Sequence, residues 1–270
     1  MWFVLLGSML FGERSAEAYV RTTTKANQQG FPLFWKHFPV PFHISNQNFP
    51  ANLDKNGILK ALQDSFTTWT QPVCTCATFS YKGLTDDTKL GYSQESGVTN
   101  RNLVLFQNTN WSHADLAVAV ASVIFDRDSG ELVAFDIEIN TKKFKFTLDG
   151  KGGVPGETVI DLANTMTHEA GHTLGIDHSP VATASMFSTA PPGEISKRTL
   201  DPDDQKAVCD IYPRPSSGPC FGSGGSNNGG LTDPPQRGCA CQQTSPLSIP
   251  LFGLAFCLFF GLSLRFRRKS

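Results

Sequence analysis

HEAGHTLGIDH, residues 168–178, is the stretch that decides the fold of this 270-residue chain. His168 and His172 are four residues apart, so on a helix their imidazoles project from one face and can bind the same metal ion. Glu169 directly follows the first histidine. From there its carboxylate can reach a water on the metal without binding the ion, as a general base must.

The end of the same stretch supplies a third ligand. Gly175 tolerates the positive φ that ends a helix and reverses the chain, which brings His178 back toward the first two histidines. Three neutral nitrogens and a water make an open catalytic zinc site rather than a closed structural one. The sequence therefore predicts one Zn²⁺, bound by three histidines, with a glutamate as catalytic base. The remaining histidines are interpreted as ordinary core or surface residues: His37, His43 and His113.

The residues around this motif predict a mixed α+β domain of about 180 residues. An apolar face spaced at helical intervals predicts a helix that contains Ile58, Leu62, Phe66 and Trp69. Further helices are predicted at 159–173 and 201–212, and strands at 40–45, 102–107, 118–125 and 132–140. The last two strands are joined by a hairpin turn at 126–130.

Several of these segments resemble the matrixins, a family of metzincin zinc metalloproteases. The match runs through HEAGHTLGIDHS at 168–179, and the motif around Met186 (Ser-Met-Phe) resembles the family's Met-turn, whose methionine forms an apolar floor beneath the zinc. The segment 200–212 resembles the closing helix, whose paired acids brace the lower part of the domain. The resemblance covers about residues 33–213 and implies a twisted, mixed five-stranded sheet, an active-site helix and a C-terminal helix.

The resemblance also implies a function, the zinc-dependent hydrolysis of protein or peptide substrates. The substrate strand is expected to pair with an edge strand of the sheet, for which 132–140 is the candidate. Two alternatives remain open: a catalytically inactive, zinc-stabilised surface binding module, and a hydrolase that acts on a non-peptide amide.

Two features of animal matrixins are not recognisable. Their latency depends on a propeptide cysteine bound to zinc, but residues 19–32 contain no cysteine. Their structural zinc site and calcium loops are also missing, since His113-Ala114-Asp115 is at most a fragment of one and the 126–130 turn lacks the ligands of a calcium loop. Calcium binding is therefore left open.

Both ends of the chain predict export. Residues 2–11 are apolar and Ala16-Glu17-Ala18 follows as a cleavage signal, which is typical of a signal peptide removed before Tyr19. The basic n-region is absent, and a buried N-terminal helix is the alternative. Residues 247–264 carry no charge and are followed by four basic residues within 265–269, which predicts a membrane span with a cytoplasmic end.

A linker rich in Gly, Ser and Pro precedes this span. The sequence Gly-Cys-Ala-Cys at 238–241 together with the span resembles the C-terminal sorting tails of myxobacterial surface proteins, which a sorting protease removes; a plain membrane anchor is the alternative. The predicted location is the cell envelope, the cell surface or the exterior. The predicted layout is a signal peptide (1–18), a short N-terminal segment (19–32), a zinc metalloprotease catalytic domain (33–213), a linker with the cysteine motif (214–241) and a membrane or sorting tail (242–270).

Composition and cysteine usage agree with this layout. The formal net charge is only −1, which argues against a nucleic-acid-binding protein. Cys257 lies inside the predicted span as a small apolar residue. Export permits disulfides, and three pairings remain open among the four cysteines outside the linker motif and span: Cys74, Cys76, Cys209 and Cys220. Structural zinc on these cysteines is disfavoured by their spacing.

Overall fold

A computed structural model describes residues 18–151, 159–218, 220 and 258–267. The predicted signal peptide up to residue 17, most of the linker and the first part of the tail lie outside these residues. The helices are α1 (Lys55–Thr68), α2 (Leu162–Thr173) and α3 (Pro202–Ile211). The strands are β1 (Val20–Arg21), β2 (Thr23–Lys25), β3 (Gln29–Pro32), β4 (Val40–Ser45), β5 (Phe79–Thr85), β6 (Leu103–Gln107), β7 (Ala117–Asp126), β8 (Leu132–Asn140), β9 (Lys145–Thr147), β10 (Val159–Asp161), β11 (Ile176–Asp177), β12 (Thr189–Ala190) and β13 (Leu258–Arg267).

Five strands form the mixed sheet of the domain, in the order β5-β4-β6-β8-β7. All neighbours are parallel except β7, which runs antiparallel to β8. The predicted hairpin at 126–130 joins these two strands, and the Asp126 carboxylate stabilises it by accepting from the backbone N–H groups of Asp128 and Ser129. The predicted α+β fold with a mixed five-stranded sheet is confirmed.

The expected edge strand is wrong. Residues 132–140 form β8, which lies inside the sheet between β6 and β7. Hydrophobic alternation identifies a strand but not its neighbours, because the order of strands depends on pairing between distant segments. Strand β7 is the outermost of the five on that side, and beyond it lie β13 and then β12.

Helix α1 carries the predicted apolar face and uses it to support α2. Ile58, Leu62 and Phe66 are buried, and Trp69, at the C-cap, has no exposed surface. The Trp69 indole N–H donates to the carbonyl of Thr167 at 2.7 Å. Burial of a large aromatic ring and a hydrogen bond to its polar edge together fix the two helices to one another.

The second helix begins later than predicted. Val159–Asp161 form β10, parallel to β9, and α2 starts at Leu162. The Asp161 carboxylate caps the helix by accepting from Asn164 N–H at 2.8 Å, and it also pairs with the Arg198 guanidinium. The β-branched Val159 and Ile160 favour an extended backbone. Apolar spacing alone does not distinguish these residues from the first turn of the helix.

Short strands fix the N-terminal segment, for which the sequence predicted no structure. Strand β1 pairs antiparallel with β11, the two-residue strand directly before His178. The backbone N–H of Thr22 donates to the carbonyl of Gly175 at 2.9 Å. The start of the described chain is thus attached to the turn that follows α2. Strand β5 was also not predicted, because its sequence is short of apolar residues and contains Gly83, a residue that is unfavourable inside a strand.

Two disulfides close the other end of the domain: Cys74 with Cys209 on α3, and Cys76 with Cys220. Between the two cysteines of the first segment, Thr75 pairs with Pro213 in an isolated antiparallel bridge. The segment after α1 is therefore attached covalently both to the last helix and to the chain that leaves the domain.

The described part of the predicted membrane span is a strand. Residues 258–267 form β13, and no helix in the described part of the chain is long and apolar enough to cross a membrane. A short apolar run cannot be assigned to helix or strand from composition alone. The rest of the predicted span lies outside the described residues.

The disulfide pairing gives a direct test of this arrangement. Digestion of the unreduced protein should yield peptides that link Cys74 to Cys209 and Cys76 to Cys220. Replacing both Cys76 and Cys220 by serine should lower the free energy of unfolding by about 2–5 kcal/mol, because a loop between distant residues is no longer closed in the unfolded chain. Mass spectrometry and urea unfolding measure the two effects; a linked pair of Cys74 and Cys76 would contradict the arrangement.

Candidate metal centre

The three histidines of the motif meet at one point. His168 and His172 project from α2, one turn apart, and His178 follows β11. One ligand atom from each lies within 4.8 Å of the others, and the two Nε2 atoms of His168 and His172 are 3.1 Å apart. Among the described residues, these are the ones grouped as a metal site of three ligands.

Backbone carbonyls set the orientation of two of the rings. Nδ1 of His168 lies 2.6 Å from the carbonyl oxygen of Ser185, and Nδ1 of His172 lies 2.8 Å from that of Ile176. A carbonyl only accepts, so each Nδ1 carries the proton and each Nε2 presents a lone pair. This is the arrangement in which outer hydrogen bonds orient metal-binding imidazoles.

Burial keeps all three imidazoles neutral. Desolvation, with a smaller effect from the neighbouring histidines, holds the pKa of His168 well below its usual value and lowers that of His172 to about 3. Desolvation also lowers the pKa of His178. The neutral form is the one that binds a metal, so the site requires no deprotonation near neutral pH.

The chain reverses at Gly175 as the sequence predicts. Its φ is +79°, and a Cβ added there would lie 2.6 Å from the carbonyl oxygen of Leu33. Both the left-handed backbone and the close approach of Leu33 favour glycine at this position. The turn directs the chain into β11 and then to His178.

Glu169 has one occupied and one free carboxylate oxygen. Oε2 accepts from the backbone N–H of Ala121 on β7 at 2.8 Å, whereas Oε1 is buried and has no hydrogen-bond partner in the structure. Burial raises the pKa of Glu169 well above its usual value, and the bond from Ala121 opposes this in part. A carboxyl group held in this way can accept a proton and release it again.

A loop around Met186 closes the site from below. The Asp204 carboxylate accepts from the backbone N–H groups of Ser185 at 2.6 Å and Met186 at 3.1 Å. A Cβ on Gly171 would lie 2.3 Å from the Met186 sulfur, so this sulfur packs directly against α2. One of the paired acids of the last helix therefore holds the methionine loop against the histidine-bearing helix, and the other, Asp203, accepts from the Ser179 hydroxyl at 2.6 Å.

Lys197 was missed by sequence reasoning. Its side chain is buried, and its ammonium group donates to the carbonyls of Phe187 at 3.0 Å and Ala184 at 3.3 Å, on both sides of Met186. Burial lowers its pKa, which the nearby Glu194 carboxylate partly offsets. Lys197 lies in a segment without apolar periodicity, and a lysine there normally indicates an exposed position.

The remaining histidine of interest does not join this cluster. Nε2 of His113 lies 2.8 Å from Oε1 of Glu138, and Asp115 instead approaches Lys143 at 4.0 Å. The His113-Ala114-Asp115 fragment therefore does not assemble a second metal-binding group within the described residues.

The donors of the main cluster fit a zinc ion. Three imidazole nitrogens in a shared geometry are a common catalytic zinc set, with a fourth position left for water. Two buried atoms of the motif, Nε2 of His178 and Oε1 of Glu169, have no hydrogen-bond partner. Such orphaned polar atoms are costly, and a metal ion with a water would satisfy both.

The metzincin class of metallopeptidases is defined by three features that are present here. These are a mixed five-stranded sheet, a helix beneath it that bears HExxHxxGxxH, and a methionine loop below the histidines. The family model described as Matrixin, of the M10 peptidases, matches residues 34–213. The chain belongs to the matrixin family, which implies zinc as the metal.

Two characterised proteins share parts of this domain. Karilysin from Tannerella forsythia is 48% identical over 58 residues, which are 22% of this chain and 12% of that protein. Metalloendoproteinase 5-MMP from Arabidopsis thaliana is 31% identical over 106 residues, 39% of this chain and 28% of that protein. The similarity thus spans less than a third of the length of either relative.

The role of Asp204 in this centre can be measured. Asp204→Ala should lower the free energy of unfolding by on the order of 3 kcal/mol, because buried backbone N–H groups of the methionine loop lose their acceptor. Asp210→Ala, on the same helix but partly exposed, is the matched control and should change stability by less than about 1 kcal/mol. Urea unfolding of both variants tests this, and equal losses would contradict it.

Proposed function

We propose that this chain is an exported zinc-dependent endopeptidase that cleaves protein or peptide substrates. In this proposal His168, His172 and His178 bind the metal, Glu169 is the general base, and Gly175 and Met186 shape the site. The observation that carries it is the unpaired Oε1 of Glu169 beside three neutral, converging imidazoles. Membership of the matrixin family and the name of the Arabidopsis relative, a metalloendoproteinase, support the same activity.

A zinc ion in the site would polarise the scissile carbonyl and lower the pKa of a bound water toward about 7. Glu169 then takes the proton of the attacking water at Oε1, while the Ala121 N–H keeps Oε2 in place. The same carboxyl group returns the proton to the leaving amine. Its raised pKa suits this exchange, because the group must be able to hold a proton near neutral pH.

The substrate is proposed to bind as an extended strand along β7. Peptides commonly add to the edge of a sheet through main-chain hydrogen bonds. Strand β7 is the outermost of the five domain strands, and its Ala121 contacts the general base. A peptide on this strand would pass over Glu169. Strand β8 cannot take this role, because β6 and β7 of the domain sheet pair with both of its edges, whereas the outer edge of β7 is paired with the C-terminal β13.

Removing the base while keeping the metal tests the catalytic role. Glu169→Gln should lower kcat by about 10²–10⁴-fold, since an amide of the same shape cannot take the proton. Zinc should remain at one per chain, because the three histidines are unchanged. The exposed Glu95→Gln is the control and should cleave unfolded casein at the parental rate.

Two other outcomes are informative. A Glu169→Gln protein that cleaves casein at the parental rate would overturn the assignment of the base. A parental protein that binds zinc but shows no chelator-sensitive cleavage of casein or of a peptide library would instead favour a zinc-stabilised binding module. Cleavage of non-peptide amides alone would change the substrate class.

Export is proposed from the ends of the chain. We infer removal of residues 1–18 and a mature N-terminus at Tyr19, directly before β1. The two disulfides support an oxidising compartment outside the cytoplasm. The tail is proposed to enter the membrane before any processing by a sorting protease.

Mass spectrometry of envelope and secreted fractions tests this proposal. We expect the mature chain to start at Tyr19. An end near Cys239 or Cys241 would indicate a removed sorting tail, whereas retention of 242–270 would indicate a membrane anchor. Recovery of cytoplasmic protein with an intact N-terminus would contradict export.

A further inference from the structure

Strand β13 lies between β7 and β12 and packs against α2, the helix of the candidate metal centre. It runs parallel to β7, with registered pairs from Gly261 opposite Val120 to Arg267 opposite Asp126. On its other side, Leu258 and Phe259 pair antiparallel with β12. The C-terminal segment thus joins two strands of the domain that are otherwise not neighbours in the sheet.

Both strands are connected to the candidate metal centre. On β7, Ala121 donates to the Glu169 carboxylate, and in the register Ala121 faces Leu262. Strand β12 begins two residues after Phe187, at the end of the methionine loop. Strand β13 also contacts α2, the helix that carries His168 and His172. Its backbone therefore lies where an extended substrate would have to bind.

Burial around the centre agrees with a covered groove. All ten residues of β7 are buried, although this strand is the outermost of the five domain strands. His168, Glu169 and His172 have no exposed surface. A substrate carbonyl cannot reach a general base that is closed off from solvent, so catalysis requires that something leaves the groove.

We propose that the C-terminal segment is a built-in inhibitor, in which β13 occupies the substrate groove and keeps the protease latent until the segment is withdrawn. The inference rests on the proposed function, since it concerns access to the same cleft.

The apolar composition of the C-terminal segment also favours binding to a membrane. Residues 247–264 carry no charge, and the same run that contributes most of β13 is apolar enough to favour a bilayer. One segment cannot pair with β7 and lie in a membrane at the same time. Insertion of the segment into a membrane would therefore open the groove, and cleavage within the linker would remove the tether that keeps the segment near it.

The attachment of the segment favours the closed state beforehand. Cys220 is bonded to Cys76, so the linker that leads to β13 starts from a fixed point on the domain. A tethered segment binds its own domain at an effective concentration that can reach the millimolar range. Even weak strand pairing is then sufficient to keep the groove filled.

Proline substitutions in the full-length chain test the proposal. In Leu262→Pro/Ser263→Pro, two adjacent backbone N–H groups are removed, and since adjacent groups point in opposite directions, one of them is a donor toward β7. The matched control is Gln242→Pro/Gln243→Pro, in the same tail but before β13. Hydrogen exchange of the amides of β7 measures groove occupancy without requiring activity.

We expect the outward-facing amides of 117–126 to exchange faster in Leu262→Pro/Ser263→Pro than in the parental and control chains. If the groove is open in a tenth of the parental molecules or fewer, releasing β13 should raise the cleavage of unfolded casein by zinc-loaded protein at least about tenfold. A second experiment places a specific protease site between residues 230 and 231. The same folded protein is then compared before and after its tail is cut off and washed away with mild detergent.

The outcomes separate the two proposals. Equal exchange in all chains, or faster exchange with an unchanged measurable cleavage rate, would overturn the latency proposal. Faster exchange without cleavage in any chain would support β13 as the occupant of the groove and would overturn the proposed peptidase function instead.

Discussion

The structure depends on the requirement that three imidazoles, two of them fully buried, stay neutral and lie close enough together to be able to share one ion. Buried polar rings in contact are unfavourable without partners, so their outer nitrogens must be hydrogen-bonded and their inner nitrogens must face a common ligand. Carbonyls of Ser185 and Ile176 meet the first condition for His168 and His172. The segments that carry these carbonyls are in turn held by Asp204 and by strand β1. Elements far apart in sequence are thus positioned by the demands of one site.

Local sequence predicted those features that are decided within a few residues. The pairing of His168 with His172, the turn at Gly175 and the apolar face of α1 follow from helical spacing and from the conformational freedom of glycine. Strand order did not follow, because it is decided by which distant segments pair. The disulfide partners of Cys74 and Cys76 were open for the same reason. Lys197 was unexpected, since its burial is compensated by carbonyls of a loop ten or more residues away.

The matrixin domain accounts for two thirds of the chain, and segments on both sides of it in the sequence pair with its strands. At the N-terminal end, β1 completes the turn before His178. At the C-terminal end, β13 extends the sheet beyond β7 and lies against the active-site helix. The candidate metal centre is therefore bordered by segments outside the family's matched region, and such segments can differ between proteins that share one fold.

The bond between Cys76 and Cys220 has a mechanical consequence. If the tail is held in an envelope while the domain engages a substrate outside it, tension enters the domain at Cys220. The covalent link passes that force to the segment between α1 and β5, and the second bond, from Cys74 to Cys209, fastens the same segment to α3. Helix α3 is then not pulled from its C-terminal end, and the part of the load that reaches it enters at Cys209. The two bonds therefore distribute a pull on the tail over the segment before β5 and over α3, instead of concentrating it on the residues that follow α3.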